Sequence, residues 1–282
     1  MGAGPIQRDV VRVQGPEALD FLQGQLSQDV AALAIEQSAW SLLLQPTGKV
    51  TAWLRVTRLA DDDLLLDVDA GFGETVRARL ARFKLRTKVE LVLEQWSGLA
   101  VRGPRAADLD EPTGALALPA GWPGVEGVDL IAGGEVALAG VPLADPAALD
   151  ALRIECGVPA MGAELTEATI PAEAGQWLID ASVSFTKGCY TGQELVARID
   201  SRGGNVPRPV RGLLVEGEPA AVGAEVRAEG SAVGRVTSSA RSAALGAIAL
   251  APIARSIEIG TAVEVGSGDR LATATVAELP LR

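Results

Sequence analysis

The pattern of short apolar runs beyond Pro207 restricts the fold of this chain more than any other feature of the sequence. Each run alternates apolar with smaller or polar residues over a few positions and ends near a glycine. The runs are 212–215, 224–228, 232–237, 247–250, 262–265 and 271–277. Strands of this length at such even spacing are typical of a small antiparallel sandwich or barrel. The sequence therefore predicts a C-terminal β-barrel domain.

The N-terminal part mixes strand and helix patterns. Residues 9–14 predict a strand, and Gly15-Pro16-Glu17 then opens a predicted helix. The apolar stripe of that helix is Leu19, Leu22, Leu26, Val30 and Leu33. Further on, the sequence predicts strands at 40–45, 50–56, 64–68 and 89–93 and a helix with Phe72, Val76, Leu80 and Phe83 on one face. These patterns indicate a small α+β unit from about residue 40 to residue 96.

The segment from 102 to 146 carries few clear patterns. It is rich in Gly, Pro and Ala, with one strand-like piece at 134–139. We expect loops here that return from one domain to another. Residues 147–155 then predict a helix that ends at Gly157, with Pro159 soon after it.

The absence of histidine limits the chemistry of the chain. It excludes Ser/His and Cys/His dyads and metals held by imidazole, so acid–base chemistry falls to Asp, Glu, Lys, Tyr, Cys or a bound ligand. The two cysteines, Cys156 and Cys189, make no disulfide framework and no CxxC pair, so no metal site is predicted. Cys156 is expected to be a small core residue.

The charge balance argues against two classes of partner. The chain of 282 residues has a net charge of −11, whereas general binders of nucleic acid or of anionic membranes need clustered Lys and Arg. No apolar run is long enough to span a bilayer, and the N-terminus lacks the pattern of a secretion signal. We therefore expect a cytoplasmic protein without a membrane partner.

One basic cluster stands out in this acidic sequence. It comprises Arg77, Arg79, Arg82, Lys84, Arg86 and Lys88. A run of this kind is more often a solvated face. The alternative is a docking patch for an anionic ligand tail or an acidic partner.

The stretch from Lys187 to Glu194 has the highest density of reactive groups in the chain. Thr191, followed by Glu194 and an apolar pair at 195 and 199, predicts a capping box at a helix start. Cys189 would then lie just before that helix, where free amides, the helix dipole and Lys187 favour a thiolate. The alternative is a tight turn built on Gly188 and Gly192 around a buried cysteine.

Several segments carry a resemblance to a known family. Lys187-Gly188-Cys189-Tyr190-Thr191-Gly192-Gln193-Glu194, with Arg198 and Arg202-Gly203, resembles the signature of the YgfZ-type folate-binding proteins. These proteins are relatives of the glycine-cleavage T-protein, an aminomethyltransferase. The segments 15–29, 48–49, 83–86 and Arg153-Ile154-Glu155-Cys156-Gly157 resemble other landmarks of the same family. The Lys-Gly-Cys-Tyr run is the most specific of them.

The resemblance implies an α+β fold of three domains in a ring around a cavity for tetrahydrofolate. The implied domains are a discontinuous folate-binding domain (1–39 and 117–206), an inserted ferredoxin-like domain (40–116) and a β-barrel (207–282). It also implies that Glu155 contacts the pterin and that Cys189 and Lys187 face the cavity as the catalytic pair. The remaining residues of the implied folate site are Arg153, Tyr190, Gln193, Glu194, Arg198 and Arg202.

The resemblance leaves the reaction open. The T-protein uses an aspartate whose position is matched here by Val76, so the resemblance argues against T-protein-like aminomethyl transfer. It implies instead a folate-dependent accessory protein for the assembly or repair of iron–sulfur enzymes, with a reactive thiol at Cys189. Its partners would be folate and iron–sulfur proteins or assembly factors. The alternatives are a folate-dependent one-carbon transferase or demethylase and a non-catalytic interaction scaffold.

Overall fold

The structure, a computed structural model, describes residues 1–109, 112–267 and 270–281, with the side chains of 107, 267 and 270 left aside. Its described part forms two antiparallel sheets and five α-helices. The strands of the first sheet are β1 (Gly2–Gln14), β2 (Ser38–Leu44), β3 (Val50–Ala60), β4 (Asp63–Asp69), β5 (Glu90–Arg102), β6 (Leu116–Pro119) and β7 (Gly127–Ala132). The helices are α1 (Ala18–Gln25), α2 (Gly73–Ala81), α3 (Pro146–Glu155), α4 (Gln176–Ser182) and α5 (Gln193–Asp200).

The first sheet has the strand order β2-β3-β4-β1-β5-β7-β6. The first strand of the chain thus lies between two strands of the α+β unit and pairs with both of them. Helices α1 and α2 pack on one face through an apolar core that includes Leu22, Leu54, Leu66, Val76 and Leu80. The sheet is therefore continuous across the predicted boundary at 39/40.

The second sheet forms the C-terminal domain. Its strands are β8 (Val210–Val215), β9 (Glu225–Ala228), β10 (Ser231–Arg235), β11 (Ser238–Ser242), β12 (Gly246–Pro252), β13 (Ala262–Ser267) and β14 (Arg270–Ala277). Their order is β10-β9-β13-β14-β8-β12-β11. A bridge between Gly234 and Ile253 joins the first strand in this order to the end of β12. A Cβ at Gly234 would lie 2.6 Å from the Pro252 carbonyl, so this contact needs glycine.

Several predicted elements differ from the structure. Helix α1 ends at Gln25, because Leu26 turns extended and bridges to Leu43, and Val30 then lies in a short 3₁₀ turn. The strand predicted at 134–139 is absent; the strands of that region are β6 and β7. Strand β11 was not predicted, because its sequence Ser-Ser-Ala-Arg-Ser has no strand propensity and it forms by pairing with β12. No helix in the described ranges is long and apolar enough to cross a membrane.

Five charged side chains alternate in sign through the interior of the first sheet. Arg8 Nε donates to Asp67 Oδ1 (2.9 Å), and Arg55 binds both oxygens of Asp67 (3.0 Å each). Arg55 Nη1 also donates to Asp129 Oδ2 (3.1 Å), and Arg102 Nη2 donates to Asp129 Oδ1 (2.8 Å). All five side chains are buried. We call this group the Arg–Asp chain.

The Arg–Asp chain requires a strongly curled sheet. Strands β3 and β7, which carry Arg55 and Asp129, are four steps apart in the sheet order. In a flat sheet four steps correspond to about 19 Å. The 3.1 Å contact between the two side chains therefore means that the sheet curls around them as a half-barrel. Burial alone would raise the pKa of Asp129, but Arg102 and Arg55 outweigh it and hold that pKa below its usual value.

Replacing Arg55 by methionine tests how much the Arg–Asp chain contributes to the stability of the fold. Arg55→Met leaves Asp67 and Asp129 buried without their shared partner, so we expect the free energy of unfolding in urea to fall by about 3–5 kcal/mol. Arg12→Met is the matched control, since Arg12 pairs with Asp63 between β1 and β4 but its side chain is 35% exposed. That variant should lose less than about 1 kcal/mol. Equal losses would contradict the account.

Candidate functional site

A cavity of about 240 Å³ lies at the end of the Arg–Asp chain. Its walls come from β1 to β5, from β7 and the connection between β6 and β7, and from α3 and the segment after it. The lining residues are Ile6, Gln7, Arg8, Trp40, Trp53, Asp69, Ala100, Arg102, Trp122, Asp129, Arg153, Val158, Pro159 and Ala160. We call it the Trp cavity, because three of the five tryptophans of the chain line it.

The aromatic wall of the Trp cavity is held rigidly. Trp40 and Trp53 stack with ring centroids 4.1 Å apart and planes 20° apart. Their indole N–H groups donate to the Ala120 carbonyl and to Ser182 Oγ, both at 3.0 Å. The guanidinium of Arg55 lies 5.1 Å from the Trp40 ring. Stacking, hydrogen bonds and a cation–π contact together fix the faces that a flat ligand would meet.

Charged groups line the same cavity. Arg102 lies 4.1 Å from the Trp122 ring, and its buried Nε has no hydrogen-bond partner in the described chain. Asp69 pairs with Arg8 and accepts a hydrogen bond from the Met161 amide (3.1 Å), while its side chain stays 39% exposed. The lining thus combines arginine side chains with a partly exposed carboxylate.

Arg153 links the Trp cavity to the barrel. It extends from α3 and donates to the Val158 carbonyl (2.8 Å) and to Ser238 Oγ (2.9 Å) in β11. It also lies 3.4 Å from the buried carboxylate of Glu164, which accepts hydrogen bonds from Thr237 and Ser238. The guanidinium is therefore fixed in position from both domains.

Only Arg153, among the site residues predicted from the sequence, belongs to the described lining of the Trp cavity. Glu155, predicted to contact the pterin, is buried at the end of α3, where its backbone carbonyl accepts a hydrogen bond from Leu281 (2.7 Å). Arg198 and Arg202 are exposed on and just after α5. The structure thus does not bring the predicted residues together around this cavity.

Lys187 fastens its loop to the end of α1. Its ammonium donates to the carbonyls of Gln23 (2.6 Å), Leu26 (2.7 Å) and Gln28 (2.9 Å). Burial lowers the pKa of Lys187 to about 8, with Asp29 opposing the shift, so the ammonium still predominates at neutral pH. Three carbonyls match the three donors of an ammonium. In this structure Lys187 holds the loop in place and does not face the Trp cavity.

The predicted capping box is absent. Helix α5 begins at Gln193 with Gly192 as its N-cap, and no side chain caps it. Gly192 has φ +85°, and a Cβ there would lie 2.5 Å from the Gln45 carbonyl, so the chain needs glycine and cannot place Thr191 as the cap. Cys189 is exposed on the loop, four residues before the helix begins. The helix predicted after Cys189 is thus present, but it begins one residue later than the predicted cap at Thr191 implies.

The neighbours of Cys189 have structural contacts. Tyr190 is buried in an apolar core, and burial, with Glu194 in support, raises its pKa to about 12. Gln193 accepts a hydrogen bond from the Tyr190 amide through Oε1 (3.2 Å), and Glu194 is exposed on α5. Cys156 is buried, as predicted. Of the two cysteines, Cys189 is therefore the one whose thiol is accessible to a partner.

Val76 is fully buried between α2 and the first sheet. It does not belong to the described lining of the Trp cavity. The expectation that Val76 disfavours T-protein-like aminomethyl transfer stays a prediction.

Sequence reasoning missed most of the lining of the Trp cavity. The missed residues that bear charge or a large ring are Arg8, Trp40, Trp53, Asp69, Arg102, Trp122 and Asp129. A signal was present: Arg55 and Asp129 interrupt apolar strand runs, and a charge at an interior strand position needs a buried partner. The sequence did not indicate which strands would supply the partners.

Comparison with known proteins identifies two domains. The family model of the GCVT N-terminal domain matches residues 9–114, and that of the glycine cleavage T-protein C-terminal barrel domain matches residues 208–281. The stretch from Lys187 to Glu194 lies between the two matches. The predicted C-terminal barrel is confirmed.

Individual relatives agree with this result. The aminomethyltransferase of Corynebacterium jeikeium is 29% identical over an alignment of 311 positions, gaps included, which covers 90% of this chain and 79% of that protein. An uncharacterized protein of Haemophilus influenzae is 28% identical over 211 residues, covering 71% and 68%. The crystal structure of glycine cleavage system aminomethyltransferase T from Bartonella henselae matches with a TM-score of 0.75 at 22% identity, covering 100% of this chain and 86% of that one. The predicted T-protein-like α+β fold is confirmed, while the domain bounds stay a prediction.

Replacing Lys187 by methionine tests the fastening of the loop. Lys187→Met leaves three carbonyls without their donor, so we expect a loss of about 1–3 kcal/mol in unfolding free energy. Amide hydrogen exchange in residues 187–192 should also become faster, because the loop opens locally. Lys88→Met, at an exposed lysine, is the control and should change neither quantity. Unchanged exchange in Lys187→Met would mean that the loop is held by other contacts.

Proposed function

Because this chain is a relative of the glycine cleavage T-proteins, we propose that it binds tetrahydrofolate in the Trp cavity. We further propose that it acts in the cytoplasm as an accessory protein in the assembly or repair of iron–sulfur enzymes. Cys189 then supplies a thiol to those partners. The observation that carries the folate proposal is that stacked tryptophans, arginines and a carboxylate line the same cavity.

The groups of the Trp cavity fit a reduced folate. The flat pterin suits an indole face, and its N–H donors suit the partly free carboxylate of Asp69. Arg102 lines the cavity, and its guanidinium suits an acceptor atom or a carboxylate of the folate. The cavity of about 240 Å³ lies below the usual range of about 300–1,000 Å³ for whole drug-sized ligands, so it suits the ring system with the tail directed outward. When bound, tetrahydrofolate supplies a carrier of one-carbon units.

The position of Cys189 supports a role towards protein partners. Its thiol is exposed on a loop held by Lys187, and it does not line the Trp cavity. A thiol in this position can meet a partner protein without entering the folate site. In the proposal, the bound folate and the thiol are therefore separate elements of one accessory protein.

A folate-dependent one-carbon transferase is the second candidate. Two observations favour it: the similarity to the Corynebacterium aminomethyltransferase, and the carboxylate of Asp69 at the Trp cavity. Asp69 could serve there as an acid–base group. Conversion of methylated or glycine-derived amines to methylene-tetrahydrofolate, lost in Asp69→Asn, would favour this function over the accessory role.

Folate binding can be tested at the aromatic wall. Calorimetry with tetrahydrofolate should give one site per chain. Trp122→Ala should weaken binding by about tenfold or more, since a lost aromatic contact with its buried area costs about 1.5 kcal/mol or more. Trp96→Ala is the control, because Trp96 is half-buried outside the cavity and bonded to Glu94. If the wild-type protein binds no reduced folate, both folate-dependent functions are excluded and the non-catalytic interaction scaffold is the hypothesis that remains.

The thiol role has a separate test. Cys189→Ala should fold and bind tetrahydrofolate as the wild type does, because the side chain is exposed and outside the cavity. In cells that lack the native protein it should fail to restore the activity of iron–sulfur enzymes. Cys189→Ser serves as the isosteric comparison. Full restoration by either variant would refute the proposed thiol role.

A further inference from the structure

A groove of about 770 Å³ lies beside helix α2, between that helix and the turn that joins β2 to β3. Its lining shares no residue with the Trp cavity. Its lining includes Arg79, Arg82 and Phe83, together with Thr51 and Thr75. We call it the Arg79 groove.

Arg79 is a buried cation without an acidic partner. Arg79 is only 8% exposed. Nη2 donates to the Leu44 carbonyl (2.9 Å), Nη1 makes a long contact with Gln25 Oε1 (3.4 Å), and the buried Nε has no hydrogen-bond partner among the residues that the structure describes. Within the described ranges no carboxylate pairs with it. A buried guanidinium in this state carries a desolvation cost that an anion would offset.

The surroundings of Arg79 increase this cost. Burial lowers the pKa of Arg79, and the like charge of Arg82 lowers it further. Arg77, on the same helix, shows the opposite arrangement, since it binds Glu74 through two hydrogen bonds of 2.8 and 2.7 Å. Within the basic cluster, Arg77 is thus neutralised by Glu74, whereas the buried Arg79 and the exposed Arg82 both line the groove.

The donors in the Arg79 groove suit a phosphoryl group better than a carboxylate. A phosphoryl group offers three acceptor oxygens, which match a guanidinium fork and several hydroxyls. The Phe83 ring, 3.9 Å from the Arg79 guanidinium, is 38% exposed and offers a face for the organic part. Glu167 also lines the groove and is exposed, so it disfavours an extended polyanion. The lining favours a small molecule with a single phosphate.

We propose that the Arg79 groove binds the phosphoryl group of a small phosphate monoester, with Arg79 and Arg82 as its cationic contacts and Phe83 under its organic part. This site is independent of the folate site, because the two linings are disjoint.

Two probes test the proposal by calorimetry at constant ionic strength: inorganic phosphate and phenyl phosphate. Constant ionic strength is needed because salt screens charges. The wild-type protein should bind each probe at one site, with phenyl phosphate the tighter. Arg79→Met should weaken binding by about tenfold or more, the effect of one lost charge-assisted hydrogen bond.

Arg77→Met is the matched control, because it removes the same charge from the same helix outside the groove. It should change the affinity by less than about twofold, as expected for a screened surface charge. If Arg79→Met does not fold, Arg82→Met replaces it, and a clear loss of affinity is expected there too. Absence of binding by both probes, equal losses in Arg77→Met and the groove variants, or displacement of phosphate by tetrahydrofolate would each overturn the proposal.

Discussion

The structure of the N-terminal part depends on charges buried inside a curled sheet. Three arginines and two aspartates alternate through the interior of the half-barrel, and each is expensive to bury alone. Their mutual contacts are possible only when β3 and β7 approach across the curl. Because Arg8, Arg102 and Asp129 also line the Trp cavity, the network that fixes the curl fixes the polar wall of the site as well.

The loop that carries Cys189 is held by contacts of a different kind. It is held by an ammonium shared among three carbonyls and by the close approach of Gly192 to the turn at Gln45. Neither contact involves the Trp cavity. The stretch from Lys187 to Glu194 therefore anchors a loop and exposes the Cys189 thiol. The cavity is formed by side chains from strands that are far apart in the sequence.

The elements that the sequence predicted correctly are those that depend on a local residue pattern. The hairpin of β2 and β3, helix α2 and the barrel strands follow from alternation, helical spacing and glycine positions, and the T-protein-like fold followed from the resemblance. The sequence could not predict that Arg55 would meet Asp129, because that contact joins strands four steps apart through curvature. The prediction of Thr191 as a helix cap was wrong, because Gly192 packs closely against the turn at Gln45 and the helix begins after it.

The central claim is that the Trp cavity holds a reduced folate. A crystal structure of the protein with 5-formyl-tetrahydrofolate tests it most directly. The account predicts the pterin within the Trp cavity, against the wall of Trp40, Trp53 and Trp122, with a nitrogen of the ring system within hydrogen-bond distance of Asp69 and the Cys189 sulfur outside contact with the ligand. A folate bound elsewhere, or bound with its pterin against the Lys187 loop, would contradict it.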